Sequence, residues 1–143
     1  MTPRLARAVR CSRGSAAVEF ALLGPLMITM LLGVVQIGIG MQSYNALRGI
    51  AADVGRHVAV EYQKSNRLTN TQVRQLGEAT AVQPPYLLDG SALTVNVADA
   101  SPQRVAGAKE ITFTVTYTVP SVLAIIDLPN FNIRFSRPIF VAI

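Results

Sequence analysis

The sequence predicts an α+β protein: a long N-terminal helix, a short second helix and a small antiparallel sheet of about three strands. Three observations predict it. From Phe20 to Leu47 there is no charged residue, a run of 28. Beyond that run the apolar residues recur every three or four positions, the period of a helix with one buried face. From Ile111 to Val119 they alternate strictly with threonine, the period of a half-exposed strand. A length of 143 residues fits one small domain plus a membrane segment.

The elements follow in order. Residues 1–14 carry Arg4, Arg7, Arg10 and Arg13 with no acid among them, and offer no core. They read as a cytoplasmic leader, because arginines on one flank of a membrane segment hold that flank inside the cell. Residues 15–41 read as a transmembrane helix. Within it, Phe20 to Gly40 is mostly Leu, Ile, Val, Met, Ala and Gly, and 21 residues at ~1.5 Å each reach ~31 Å, the thickness of a bilayer's hydrocarbon core. Gly24-Pro25 interrupts this helix early, either as a point where it stretches when packed or as a tolerated membrane proline. Gly33, Gly38 and Gly40 thin its far half. Gln36, a lone polar group at depth, bonds either across a helix pair or to its own backbone.

Residues 42–66 continue the rod as an amphipathic helix, with Leu47, Ala51, Val54, Val58 and Tyr62 on one face. Residues 67–143 form the small α+β domain. Asn66-Arg67 marks a turn. A second helix spans 71–81, with Thr69 and Gln72 as its capping box and Val73 and Leu76 toward the core. Pro84-Pro85 ends it, and Asp89-Gly90 turns the chain. Leu93, Val95 and Val97 make a first strand. A polar loop runs from Ser101 to Lys109. The clearest strand follows, with Ile111, Phe113, Val115, Tyr117 and Val119 inward and Thr112, Thr114, Thr116 and Thr118 outward. Pro120 ends it, Ser121 to Ile126 fits a turn of helix, and Pro129-Asn130 is another turn. Phe131, Ile133 and Phe135 make a third strand, and Pro138 demotes the tail 139–143 to an edge strand or extended end.

The pI of about 10.0 is a topology signal rather than a nucleic-acid footprint. From Ser15 onward nine basic residues face eight acids, a net of +1. Basic residues interleaved with aromatics, as nucleic-acid binding needs, are missing. The single cysteine, Cys11, lies in the leader, so a chain starting at Ser15 has no disulfide and no thiolate metal site. His57, the one histidine, has no second ligand beside it. No phosphate loop, nucleophile–base set or paired carboxylates are found. The expectation is a non-enzyme without metal, cofactor or small-molecule substrate.

Glu19 is the residue that composition does not explain. A carboxylate costs roughly 2.5 to 3.5 kcal/mol at the centre of a membrane helix, less toward the interface. A simple anchor has no use for one at its entrance. If the chain is cut after Gly14, Ser15 becomes residue one and Glu19 residue five. A new ammonium then lies one helical turn from the carboxylate, on this chain or a neighbour, and pairing offsets the burial of both ions.

This arrangement of basic leader, Gly14, four residues, Glu19, an aromatic at Phe20 and an apolar helix resembles the processing site of type IV-like prepilins. The stretch Arg13-Gly14-Ser15-Ala16-Ala17-Val18-Glu19-Phe20-Ala21-Leu22-Leu23 is similar to the TadE family of minor pseudopilins of the tight-adherence (Flp) pilus system. So are the Ala/Arg-rich segment Ala46 to Arg56 and the Thr-alternating strand. Phe20 departs from the tyrosine usual after the glutamate, and leans toward the minor pseudopilins.

The resemblance implies a pilin-like fold and cleavage between Gly14 and Ser15 by a prepilin peptidase. It assigns helix pairing and assembly to Glu19 and Phe20. It implies as partners other pilins and pseudopilins and the inner-membrane Tad platform proteins. It also implies a single-pass inner-membrane protein with a cytoplasmic N-terminus, a periplasmic domain and a place in surface adhesion. The competing readings are an uncleaved single-pass anchor with a partner-binding domain, a secretory signal peptide, and a type II secretion pseudopilin. The signal peptide is disfavoured because its apolar core would be too long and no Ala-x-Ala site closes it. The type II pseudopilin is disfavoured because no acidic cluster for calcium is present.

Overall fold

The computed structural model describes residues 12–123 and 129–142, with side chains from residue 16 onward. The leader residues Arg4, Arg7, Arg10 and Cys11, and residues 124–126 of the helical turn expected over 121–126, lie outside the described residues. The side chain of Arg13 does too.

Helix α1 runs unbroken from Ser12 to Gln63, 52 residues. It passes through Pro25, with the Thr29 hydroxyl donating to the Pro25 carbonyl at 2.8 Å. The expected single rod is therefore present, and it begins three residues earlier than Ser15. It ends in a Schellman turn. Ser65 takes the left-handed φ of 62° usually given to glycine, Ser65 N donates to Tyr62 O at 3.0 Å, and Asn66 N donates to Glu61 O at 2.9 Å.

Helix α2 spans Asn70–Val82. Its Thr69–Gln72 capping box is formed as the sequence predicts, with both reciprocal bonds present. Val73, Gly77 and Ala81 are its buried residues, while Leu76 packs half-buried beside them. Asp89 caps a short 3-10 turn at Gly90–Ala92 through Ser91 N.

Strands β1 (Leu93–Asp99), β2 (Ala108–Val119) and β3 (Phe131–Ala142) form one antiparallel sheet in that order, with β2 central. Val95 pairs with Val115, and Val115 with Phe135. The third strand is twice as long as its apolar alternation indicated, because Pro138 does not end it. It pairs with Thr112 within the ladder. An edge strand has a row of N–H groups with no partner strand, and a proline is tolerated there.

The core lies between the sheet and the two helices. Leu47, Ile50, Ala51, Val54 and Val58 from α1 meet Ile111, Phe113, Val115 and Val119 from β2 and Ile139 and Val141 from β3, all buried. Each such aliphatic side chain contributes about 1.5–3 kcal/mol on burial. The outer face of β2 is less exposed than alternation predicts. Thr114 is buried because the central strand is flanked on both sides, and its hydroxyl meets that of Ser136 at 2.9 Å.

Two close approaches bind helices to this core. Gly77 of α2 lies where a Cβ would stand 2.8 Å from Phe113 Cζ and 3.2 Å from Val95 Cγ1. Gly49 of α1 lies where a Cβ would stand 2.6 Å from the Tyr86 ring. Phe113 is fully buried and has no space to yield. Gly77→Ala is therefore expected to destabilise the domain by about 1–3 kcal/mol, despite alanine's better helix propensity. Thermal denaturation of the detergent-solubilised chain checks this, and an unchanged or raised midpoint would refute the close-packing account.

Candidate functional site

The candidate site is the free half of α1. None of residues 16–35 is buried, and Phe20, Leu22, Met27, Leu31 and Val34 are all exposed. By length and composition this helix is apolar enough to cross a membrane. The helix therefore presents apolar side chains around its whole circumference, as lipid or neighbouring helices require. The other half of α1, from Leu47 onward, buries one face against the sheet.

The backbone places Gly14 and Ser15 within the first turns of α1; their side chains lie outside the described residues. Glu19 and Phe20 are both exposed on the next turn, Phe20 by 79%. Ser15 and Glu19 are four residues apart on a continuous helix, so they share a face. His57 is exposed on the far half of α1. Among the described residues no group of three or more His, Cys, Asp or Glu is placed to hold a metal.

The domain is joined to the free helix by a contact that sequence reading missed. Gln36 is 9% exposed. Its Nε2 donates to Pro120 O at 3.1 Å, and its Oε1 accepts from Val122 N at 2.7 Å. Within the chain it bonds the β2–β3 connection rather than its own backbone. The side-chain amide matches one backbone carbonyl and one backbone N–H of the β2–β3 connection. One turn further along, Gly40 leaves room for the Phe131 ring, whose Cζ would stand 3.0 Å from a Cβ.

Two polar clusters also lay beyond sequence reading. Tyr86 donates to Asp53 Oδ2 at 2.7 Å, tying the α2–β1 connection to α1. Burial, then that carboxylate, pushes the Tyr86 phenol up to about 12. At the other end of the sheet, Arg104 forks onto Glu110, whose carboxylate is 2% exposed. Gln103 Oε1 accepts from Glu110 N at 2.5 Å, and the guanidinium of Arg104 stands 5.6 Å from the Phe140 ring centre. The Arg104 hydrogen bonds hold the Glu110 carboxyl below its ordinary value. A rule of alternation places Glu110 outward on β2. Only the loop folding back over the strand buries it.

Among the described residues one helix is long and apolar enough to cross a membrane, and it is continued by a docked half and a small α+β domain, the plan of a single-pass membrane anchor. Residues 14–56 match the family model described as TadE-like protein. The family which that segment resembles is associated with the Tad pilus. The match ends inside α1, so the sheet lies outside it. No curated protein and no solved structure matches the chain.

The Arg104–Glu110 pair gives a pH-dependent expectation. Because the folded carboxyl is held below its ordinary value, the stability it adds is fully present above about pH 4.5. That stability is lost as the pH falls through the lowered value. Arg104→Gln is expected to lower the thermal midpoint at neutral pH, with the gap to wild type closing as the solution is acidified through the carboxylate range. A gap independent of pH would mean that the arginine acts through packing on Phe140 alone.

Proposed function

We propose that this protein is a minor pseudopilin of a Tad/Flp-type pilus, cut after Gly14 by a prepilin peptidase and required for assembly of a pilus used in adhesion. One observation carries the reading: Glu19 stands one helical turn from Ser15, at the mouth of a bare apolar helix, within the segment that bears the TadE-like signature. The protein is then a substrate of an enzyme, not an enzyme.

The residues fit the steps. The leader arginines Arg4, Arg7, Arg10 and Arg13 hold the cleavage site at the cytoplasmic face. Gly14 has no side chain to crowd the scissile bond. It is also a poor helix former, about 1 kcal/mol worse than alanine, so the first turns of α1 open at little cost. Cleavage creates an ammonium at Ser15. Glu19 pairs with that ammonium or with the one on an adjacent subunit, which favours one axial register between helices. Phe20 and the apolar residues behind it anchor the subunit before assembly and pack against other pilin and pseudopilin helices afterwards. The inner-membrane Tad platform is the partner that would draw it from the membrane. The sheet domain then lies in the periplasm.

The test is intact mass and N-terminal sequencing of the protein from its native membrane. The expected start is Ser15. Gly14→Leu is expected to leave the leader attached. Glu19→Ala is expected to be cleaved largely as wild type and to abolish piliation. An intact leader in cells with an active prepilin peptidase would refute processing and favour an uncleaved anchor. Normal pili from Glu19→Ala would sink the pairing role alone.

A further inference from the structure

The apolar helix and the domain overlap along the membrane normal. Glu19 is charged, so the hydrocarbon core begins at Phe20. Twenty residues at ~1.5 Å supply the ~30 Å of that core and end at Ile39. The domain already touches α1 at Gln36, three residues short of that end. The near end of the domain must therefore sit at or within the bilayer surface.

The near end is built for it. β3 runs beside α1 in the same direction: Phe131 lies on Gly40, Phe135 on Tyr44 and Ile139 on Gly55. The lower end of the sheet is thus the end nearest Gln36. There Ile37, Met41, Tyr44 and Phe131 line an apolar groove, and all four are exposed. On another side of α1, Leu87 is exposed by 69% and holds a left-handed φ of 50°. Its neighbours are fixed, since Tyr86 is bonded to Asp53 and Leu88 N donates to Ala81 O at 2.9 Å. The turn therefore points a large apolar side chain outward in a conformation that leucine rarely adopts.

Charge divides the same way. The connection from Gln83 to Ala92 carries one charged residue, Asp89, and the described parts of the β2–β3 connection, 120–123 and 129–130, carry none. Of the four ion pairs among the described residues, Glu61–Lys64, Asp99–Lys109 and Arg104–Glu110 stand at the far end of the rod, and the fourth, Arg74–Glu78, lies midway along α2. The buried amide of Gln36 also satisfies two backbone groups at a depth where water does not reach them.

We infer that the lower face of the domain, centred on Leu87 and Phe131, is a second membrane contact that rests in the phospholipid headgroup layer. Tyr44 and Phe131 act there as interfacial aromatics, with an apolar body toward the acyl chains. The occupant of the apolar groove is lipid. This inference rests on α1 spanning the membrane, so the test includes a position that reports that reading separately.

The full chain carrying Cys11→Ser is given one cysteine at a time by Val34→Cys, Leu87→Cys, Phe131→Cys or Arg67→Cys. Each is labelled with an environment-sensitive fluorophore and reconstituted in phosphatidylcholine/phosphatidylglycerol vesicles with nitroxide-bearing lipids. Quenching by shallow nitroxides is expected to be several-fold greater at 87 and 131 than at 67, and deep nitroxides should quench position 34. Quenching at 34 with 87 and 131 no better quenched than 67 would overturn the lipid contact and leave the span intact. Absence of quenching at 34 would overturn both. Self-quenching at 87 and 131 that rises with protein-to-lipid ratio, without lipid quenching, would overturn the inference in favour of a second copy of the chain.

Discussion

One unbroken helix has to satisfy two solvents. Within lipid every backbone N–H and C=O needs an internal partner, and a helix is how a single span supplies them. Beyond the lipid the same helix has to offer one apolar face to a sheet. α1 meets both demands by changing the arrangement of its side chains rather than its backbone. Between Phe20 and Gln36 apolar residues occupy all sides. From Leu47 they narrow to one stripe, and Arg48, Asp53, Arg56 and His57 are exposed beside it. No loop separates the two regimes, so the domain is fixed in rotation and height relative to the span.

That rigidity gives meaning to the contacts at either end. From Glu19 to Gln36 is 17 residues, about 26 Å of helix. Any axial register imposed at Glu19 is carried by the rod to the domain. The Gln36 amide, the Phe131 ring over Gly40 and the Tyr86 ring over Gly49 prevent the domain from pivoting about the rod. The two glycines matter here because they allow aromatic rings to lie on the helix backbone itself.

Much of this architecture was legible in the sequence, because it depends on local periodicity. The absence of charge from Phe20 to Leu47, the three-and-four spacing after it, the Thr69–Gln72 cap and the threonine alternation of β2 each specify an element from neighbouring residues alone. What could not be read depends on residues distant in the chain. Gln36 meets Pro120 and Val122, 84 and 86 residues away. Asp53 meets Tyr86 across 33 residues. Thr114 is buried only because β1 and β3 flank β2, and Glu110 only because Arg104 folds over it. Pro138 left an edge strand or an extended end open for the tail, and only the pairing of β3 with β2 shows that it is an edge strand. For Gly14, Ser15, Glu19 and Phe20 the sequence carried the chemical pattern, and the structure adds that all four lie on one continuous helix.

The same long-range placement explains why the polar clusters sit where they do. A buried carboxylate is tolerated at Glu110 because a guanidinium, a backbone N–H and a side-chain amide close around that residue, at the end of the sheet remote from lipid. A phenol donating to Asp53 is held at the other end, where its ring fills the space above Gly49 and its carboxylate partner faces the side of the rod rather than the bilayer. Between these two ends the sheet has few exposed charges on its helix-facing side and a hydroxyl-rich outer side. The domain therefore has a polarity along the rod as well as across the sheet. That axial polarity requires no feature beyond those already needed to fold the domain. It follows from which connections happen to be short of charge, and it is what lets a domain so close to the membrane rest against it without stranding an unpaired ion in lipid.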